Sequence, residues 1–228
     1  FRETQPPGYI EHRMAFGVKG KYGKWLRNRT PVIRINGMVF SHADMSEEFS
    51  SLGIAKINTL AKNELAGQKE TSKGILFNPK GPFWCRGLAK VPLTRAEQKA
   101  MTATVDRILS NLDAKRMVVG HTVTANGVIE PRFGGKHLSI DTGMLHVYCG
   151  GHQVALEVVG DRYQAIHPDG KIELPAYLDE SNLRAYLEAV AKIDPDNPTV
   201  REKLSELAQA GQIKEKPAGE HSRPAVSP

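Results

Sequence analysis

The sequence predicts an α/β fold, and three stretches carry that reading. From Thr94 to Leu112 an amphipathic helical pattern runs into an apolar, β-branched stretch, Val118-Val119, which ends at Gly120 and His121. Upstream, Val32 to Phe40 forms two apolar runs around Asn36-Gly37, a dipeptide that tolerates the positive φ angles of a tight hairpin. Downstream, Val154 to Val159 and Arg162 to Ile166 flank Gly160-Asp161 and read as a second strand pair.

Each element follows in order. Residues Phe1 to Gly23 carry Pro6-Pro7 and several glycines, which predicts irregular connection with a short helix from Glu11 to Phe16. The hairpin comes next, Val32-Ile33-Arg34-Ile35 returning as Met38-Val39-Phe40, with His42 directly after it. Phe49, Leu52, Ile57, Leu60 and Leu65 recur at helical spacing, so Ser46 to Gly67 reads as helix broken near Gly53. Gln68 to Lys80 is polar and reads as loop. Thr94 and Glu97 form a capping box, with Met101, Val105, Ile108 and Leu112 on one face of the helix they start. Thr122 to Ile140 reads as loop and hairpin, with turns at Asn126-Gly127 and Gly134-Gly135. Beyond Asp179 the composition shifts. Asn182 to Lys192 and Pro198 to Ala210 read as amphipathic helices, the second capped by Asn197 and stopped by Gly211. The organisation expected is a domain over 1–178, a two-helix extension over 179–212 and a flexible tail over 213–228.

At 228 residues and 40% hydrophobic content the chain has ample material for a core. Its formal charge of +6 comes from scattered basic residues that do not cluster with aromatics, so no nucleic-acid surface is expected. No apolar run is long enough to span a bilayer. The expectation is a soluble protein of the cytoplasm or periplasm. Cys85 and Cys149 lie too far apart for a short metal-binding or redox motif.

Candidate functional residues sit where strands end, the place where ligands collect in α/β sheets. His42 follows one predicted strand and His121 another, and the two are candidate metal ligands. Arg86 lies on a loop between Trp84 and Gly87, where its planar fork suits the oxygens of a phosphate; the alternative is cation–π packing on the tryptophan. Asp44 reads as a favourable charge ahead of the helix that follows Ser46, the alternative being an acceptor that orients His42. His137, His146 and His152 are expected to be surface or structural, and Asp141 to hold a turn.

Several stretches then fall into a familiar order: Gly23-Lys24-Trp25-Leu26-Arg27, Val39-Phe40-Ser41-His42, Gly81-Pro82-Phe83-Trp84-Cys85-Arg86-Gly87, Val118-Val119-Gly120-His121-Thr122 and Ile140-Asp141-Thr142-Gly143-Met144. In order and spacing, from Gly23 to Val159, they resemble the later motif blocks of the calcineurin-like metallophosphatases. Within these the resemblance is to the phosphoprotein phosphatases of the bacterial, Shewanella-like branch. The family's opening motifs, Asp-x-His, Gly-Asp-x-x-Asp and Gly-Asn-His-Glu, do not occur upstream of His42, and Ala43-Asp44 stands where the family has two glycines. The resemblance therefore implies the carboxyl-terminal portion of such an enzyme. It implies the later part of a metallophosphatase-type sandwich of two mixed β-sheets flanked by helices. It implies a centre of two divalent metal ions (Mn, Fe or Zn), with His42 and His121 on one ion and Arg86 on the substrate phosphate. The bridging carboxylate and the general-acid histidine would come from the absent motifs, so no catalytic residue is assigned in this chain. The implied activity is phosphoester hydrolysis of serine/threonine-type phosphoproteins or small phosphoesters. Two other readings stay open: a non-catalytic binding or regulatory domain derived from such an enzyme, and a dinucleoside polyphosphate or nucleotide phosphohydrolase.

Overall fold

The computed structural model describes residues 5–67, 74–149 and 151–215. Helices α1 (Tyr9–Phe16) and α2 (Lys21–Arg27) lead into the hairpin β1 (Ile33–Ile35) and β2 (Met38–Ser41). Asn36 and Gly37 turn the hairpin with φ of 50° and 77°, the left-handed pair that a two-residue turn of this hand requires. Helix α2 departs from the irregular connection expected before Gly23. A glycine inside a short helix reads as a breaker, but here a Cβ on Gly23 would lie 2.1 Å from the Gly17 carbonyl oxygen, so the glycine serves close approach of the two helices.

Helix α3 (Glu47–Ser50), whose first turn is capped by the Ser46 hydroxyl, is separated from α4 (Gly53–Gly67) at Gly53, where φ is 72°. The polar loop expected after α4 lies outside the described residues from 68 to 73. Helix α5 (Arg95–Asn111) starts at Thr94, whose hydroxyl accepts from the Glu97 amide and donates to the Glu97 carboxylate. It feeds β3 (Arg116–Val119), and then follow β4 (Glu130–Arg132), β5 (His137–Ser139), α6 (His146–Cys149), β6 (Ala155–Val159), β7 (Arg162–His167) and β8 (Gly170–Glu173). The chain closes with α7 (Leu183–Ile193) and α8 (Pro198–Glu215). Helix α8 runs through Gly211 instead of stopping there. One interior glycine costs a helix about 1 kcal/mol, too little to end one this long. The rest of the expected tail, from residue 216, lies outside the described residues.

The fold is α/β, with two sheets and flanking helices. The first sheet has the order β1-β2-β3-β5-β4 and is mixed: β2, β3 and β5 run parallel, while the β1 and β4 edges are antiparallel. The second, β6-β7-β8, is antiparallel throughout. Side chains alternate across a strand, and the first sheet uses both faces. Val39, Met117 and Val119 pack with Ile57, Val105, Ile108 and Leu112 of the helical layer. Met38, Val118 and Leu138 face the other way, toward Leu156, Val158 and Tyr163 of the second sheet.

The second sheet is one-sided. Register places Leu156, Val158, Tyr163, Ala165 and Ile172 on one face, leaving Glu157, Gln164 and Glu173 on the other. The apolar face is shared between the first sheet and a cluster that includes Leu183, Leu187, Val190 and Val200 of α7 and α8. Asn197 fixes this last contact. It is fully buried, accepts from the Val200 amide at 3.1 Å, and donates to the Gly127 carbonyl at 3.3 Å. Among the described residues no helix is long and apolar enough to cross a membrane.

Asn197→Ala leaves the buried Gly127 carbonyl and the first turn of α8 without their partner. Chemical denaturation should show a loss of about 1–3 kcal/mol, larger than the loss of about 1 kcal/mol expected for the exposed cap in Thr94→Ala.

Candidate functional site

The carboxyl ends of the parallel strands build the site. Ser41 and Val119 are register partners in β2 and β3, so the residues just beyond them, His42 and His121, emerge side by side. The Gly120 amide donates to the His42 carbonyl at 3.0 Å and locks the two exits together. His121 has φ of 61°, a left-handed backbone that costs a residue with a side chain about 1–3 kcal/mol. That turn brings its ring against His42. The two rings lie 4.9 Å apart between centroids, with His42 Nε2 and His121 Nδ1 separated by 3.1 Å. Strand β5, the third parallel strand, delivers Asp141 to the same edge, where its carboxylate accepts from the Gly143 amide and holds the turn.

Arg86 closes the site from a neighbouring loop. Its Nη1 donates to the His121 carbonyl at 3.1 Å and to the Thr122 hydroxyl at 3.4 Å. Both bonds use Nη1, which leaves the Nε/Nη2 edge of the fork for another oxyanion. Trp84, two residues earlier, meets the His121 ring edge to face at 5.5 Å. No cation–π contact joins Arg86 to Trp84 among the described residues, so the packing alternative for this arginine is not what is observed. A cleft of about 1270 Å³ runs between the sheets, lined by Phe40, Val118, Ile140 and Leu156, and reaches His42, His121 and Asp141.

Asp44 anchors this arrangement through buried hydrogen bonds that the sequence did not disclose. Among the described residues its side chain bonds neither the α3 amides nor His42. Its side chain is fully buried, with Oδ1 2.6 Å from His137 Nε2 and Oδ2 accepting from the Leu88 and Ala89 amides at 2.9 and 2.8 Å. The chain around it pairs with the Arg86 loop as well: the Ala43 amide donates to the Pro82 carbonyl, and Asp44 bridges Cys85. Burial pushes the Asp44 pKa up, but the His137 charge and the three hydrogen bonds outweigh it and hold the carboxyl below its ordinary value. His137 is thus structural and fully buried, and His152 is tied to buried Asp194 at 3.0 Å. The side chain of His146 lies outside the described residues.

The surroundings of His121 disfavour its charged form. Burial, then the Arg86 cation, then His42 lower the His121 pKa from its ordinary 6.5, against a smaller opposing pull from Asp141 and Asp44. Cys85, beside Arg86, is buried, and burial raises its thiol pKa; a thiol so held is a poor nucleophile.

No protein-family model matches the chain. Among known sequences it is 29% identical over 162 residues to an uncharacterized protein of Schizosaccharomyces pombe, which covers 67% of this chain and 47% of that one. It is 28% identical over 130 residues to Shewanella-like protein phosphatase 1 of Plasmodium berghei, covering 55% and 35% of the two chains. Its fold matches the crystal structure of a cold-active protein-tyrosine phosphatase of a psychrophilic Shewanella with a TM-score of 0.57 and 27% identity, over 70% of this chain and 47% of that one. The chain is thus similar, over part of its length, to a Shewanella-like protein phosphatase. It spans about half the length, or less, of the relatives it matches.

The donor set fits one part of a metal centre. Two nitrogens each about 2.1 Å from a shared ion stand about 3.0–3.4 Å apart, and the 3.1 Å between His42 Nε2 and His121 Nδ1 falls in that range. His121 Nε2 is buried without a partner, so the acceptor that would fix the ring's tautomer is not supplied by the described residues. Nor do the described residues gather three or more His, Cys, Asp or Glu side chains around one point. Two imidazoles are what the described residues bring together here.

Asp44→Asn tests the anchor. A carboxylate held below its ordinary 3.8 stabilises the fold fully above that value, and the contribution is lost as pH falls through the folded-state pKa. The variant should lose about 3–5 kcal/mol at neutral pH, and its stability should fall less steeply than the parent's as pH drops below 3.8.

Proposed function

We propose that this chain carries part of the centre of a metal-dependent phosphatase acting on phosphomonoesters. His42 and His121 hold one of two divalent ions, manganese, iron or zinc, and Arg86 binds the phosphoryl group. The observation that carries the reading is the meeting of the two imidazoles at adjacent parallel strand ends, 3.1 Å apart, with the Arg86 guanidinium fastened to the His121 carbonyl. The remaining ligands come from polypeptide other than these residues.

Each side chain has a task in this reading. His121, disposed to be neutral, keeps a lone pair for coordination. Arg86 is fixed by Nη1 and offers Nε and Nη2 to two oxygens of the phosphoryl group, which orients it and offsets the charge that grows there during transfer. Trp84 packs edge to face against the His121 ring and helps hold it. The chemistry that a divalent pair supplies when bound is acidification of a water and neutralisation of phosphoryl charge. The buried, proton-retaining Cys85 supports a route without a thiol nucleophile.

The substrate implied by the family resemblance is a phosphoserine or phosphothreonine in a protein. Phosphotyrosine is the second reading, favoured by the crystal structure with 27% identity, which is named a protein-tyrosine phosphatase. Hydrolysis of matched phosphotyrosyl and phosphoseryl peptides and of a nucleotide by the full-length protein separates these. Arg86→Ala should lower kcat/KM on the preferred peptide by about 10²–10³. An unchanged kcat/KM removes the role given to Arg86, and no hydrolysis of any of the three by metal-loaded protein overturns the proposal.

A further inference from the structure

A second cavity, of about 450 Å³, opens beside the His121–Thr122 loop, and its lining includes Thr122, Thr124, Glu130, Arg132, Lys90 and Lys203. Its charged lining consists of three cationic side chains and one carboxylate. Arg132 and Glu130 are both 3% exposed. Arg132 Nη1 donates to Glu130 Oε2 at 2.7 Å, and Asn126 donates to Glu130 Oε1 at 2.7 Å, so both oxygens of the carboxylate are engaged. The opposite edge of the guanidinium is not. Arg132 Nε and Nη2 are buried with no partner among the described residues, and so is the Thr124 hydroxyl.

Two charged donors left unpaired away from water are a standing desolvation cost. Nε–H and Nη2–H leave a guanidinium side by side, in the geometry that matches two oxygens of a carboxylate or phosphate. A metal cation is excluded by the sign of the lining. We propose that this cavity binds one small oxyanion, a carboxylate or a phosphate, on the Nε/Nη2 edge of Arg132 with the Thr124 hydroxyl as a further donor. The site is separate from the edge of Arg86 offered to the reacting phosphoryl group, although Thr122 borders both.

The test follows the Arg132 Nε–H resonance of the ¹⁵N-labelled full chain during titration with inorganic phosphate and, separately, with acetate. A saturable shift with either ion is expected, unchanged by Arg86→Ala and weakened about tenfold by Thr124→Val; the accompanying shift of the Thr124 backbone amide, which every variant retains, is abolished in Arg132→Lys, which keeps the charge but loses the fork. Response to phosphate alone assigns a phosphate or phosphoester site, and response to acetate alone a carboxylate site. No saturable shift with either ion up to tens of millimolar overturns the proposal. An affinity untouched by Thr124→Val also overturns it. If Arg132→Lys does not fold, the resonance and Thr124→Val carry the test.

Discussion

Burying one carboxylate sets the geometry of this molecule. A fully buried Asp44 is tolerable only if each oxygen finds a donor, and the donors it finds belong to separate parts of the chain: His137 on β5 and the Leu88 and Ala89 amides just past Arg86. Because Asp44 stands two residues beyond His42, the interaction that satisfies it also fixes where β2 ends and how the Arg86 loop lies against that end. The candidate centre is assembled by a side chain that does not belong to it.

The first sheet supplies the rest. Parallel strands put their carboxyl ends on one edge, and period-two alternation sends Val39, Met117 and Val119 into the helical layer while Met38, Phe40 and Val118 look toward the second sheet. With both faces occupied, the strands cannot slip register without turning apolar side chains to water. His42 and His121 are therefore held by packing along the whole strand pair, and the positive φ of His121 is a local strain that this packing sustains. A central imidazole whose charged form is disfavoured, one open edge of a guanidinium and an inert thiol then follow from the surroundings of each group.

What the sequence disclosed depends on range. The Asn36-Gly37 hairpin, the Thr94 cap, the break at Gly53 and the two histidines after strands are written in runs of a few residues, and reading them needs no partner. The anchoring role of Asp44 was not legible because its partners stand 93 and 44 residues away, and the local cue, a carboxylate just ahead of a helix, pointed to that helix instead. Glu130 and Arg132 escaped notice for a similar reason: two charges in a three-residue strand look like a solvated edge, whereas both are buried and paired. Helix α2 was hidden by the glycine that lets it pack. In each case a local rule gave way to a contact that only the folded chain defines.

The central claim is that His42 and His121 are two ligands of one ion. Crystals grown with saturating manganese, measured for anomalous scattering, test it directly. The account predicts an anomalous peak within bonding distance of both His42 Nε2 and His121 Nδ1, with the ion in place of the direct contact between the rings. No peak there, with the two imidazoles still hydrogen-bonded to each other, would contradict it.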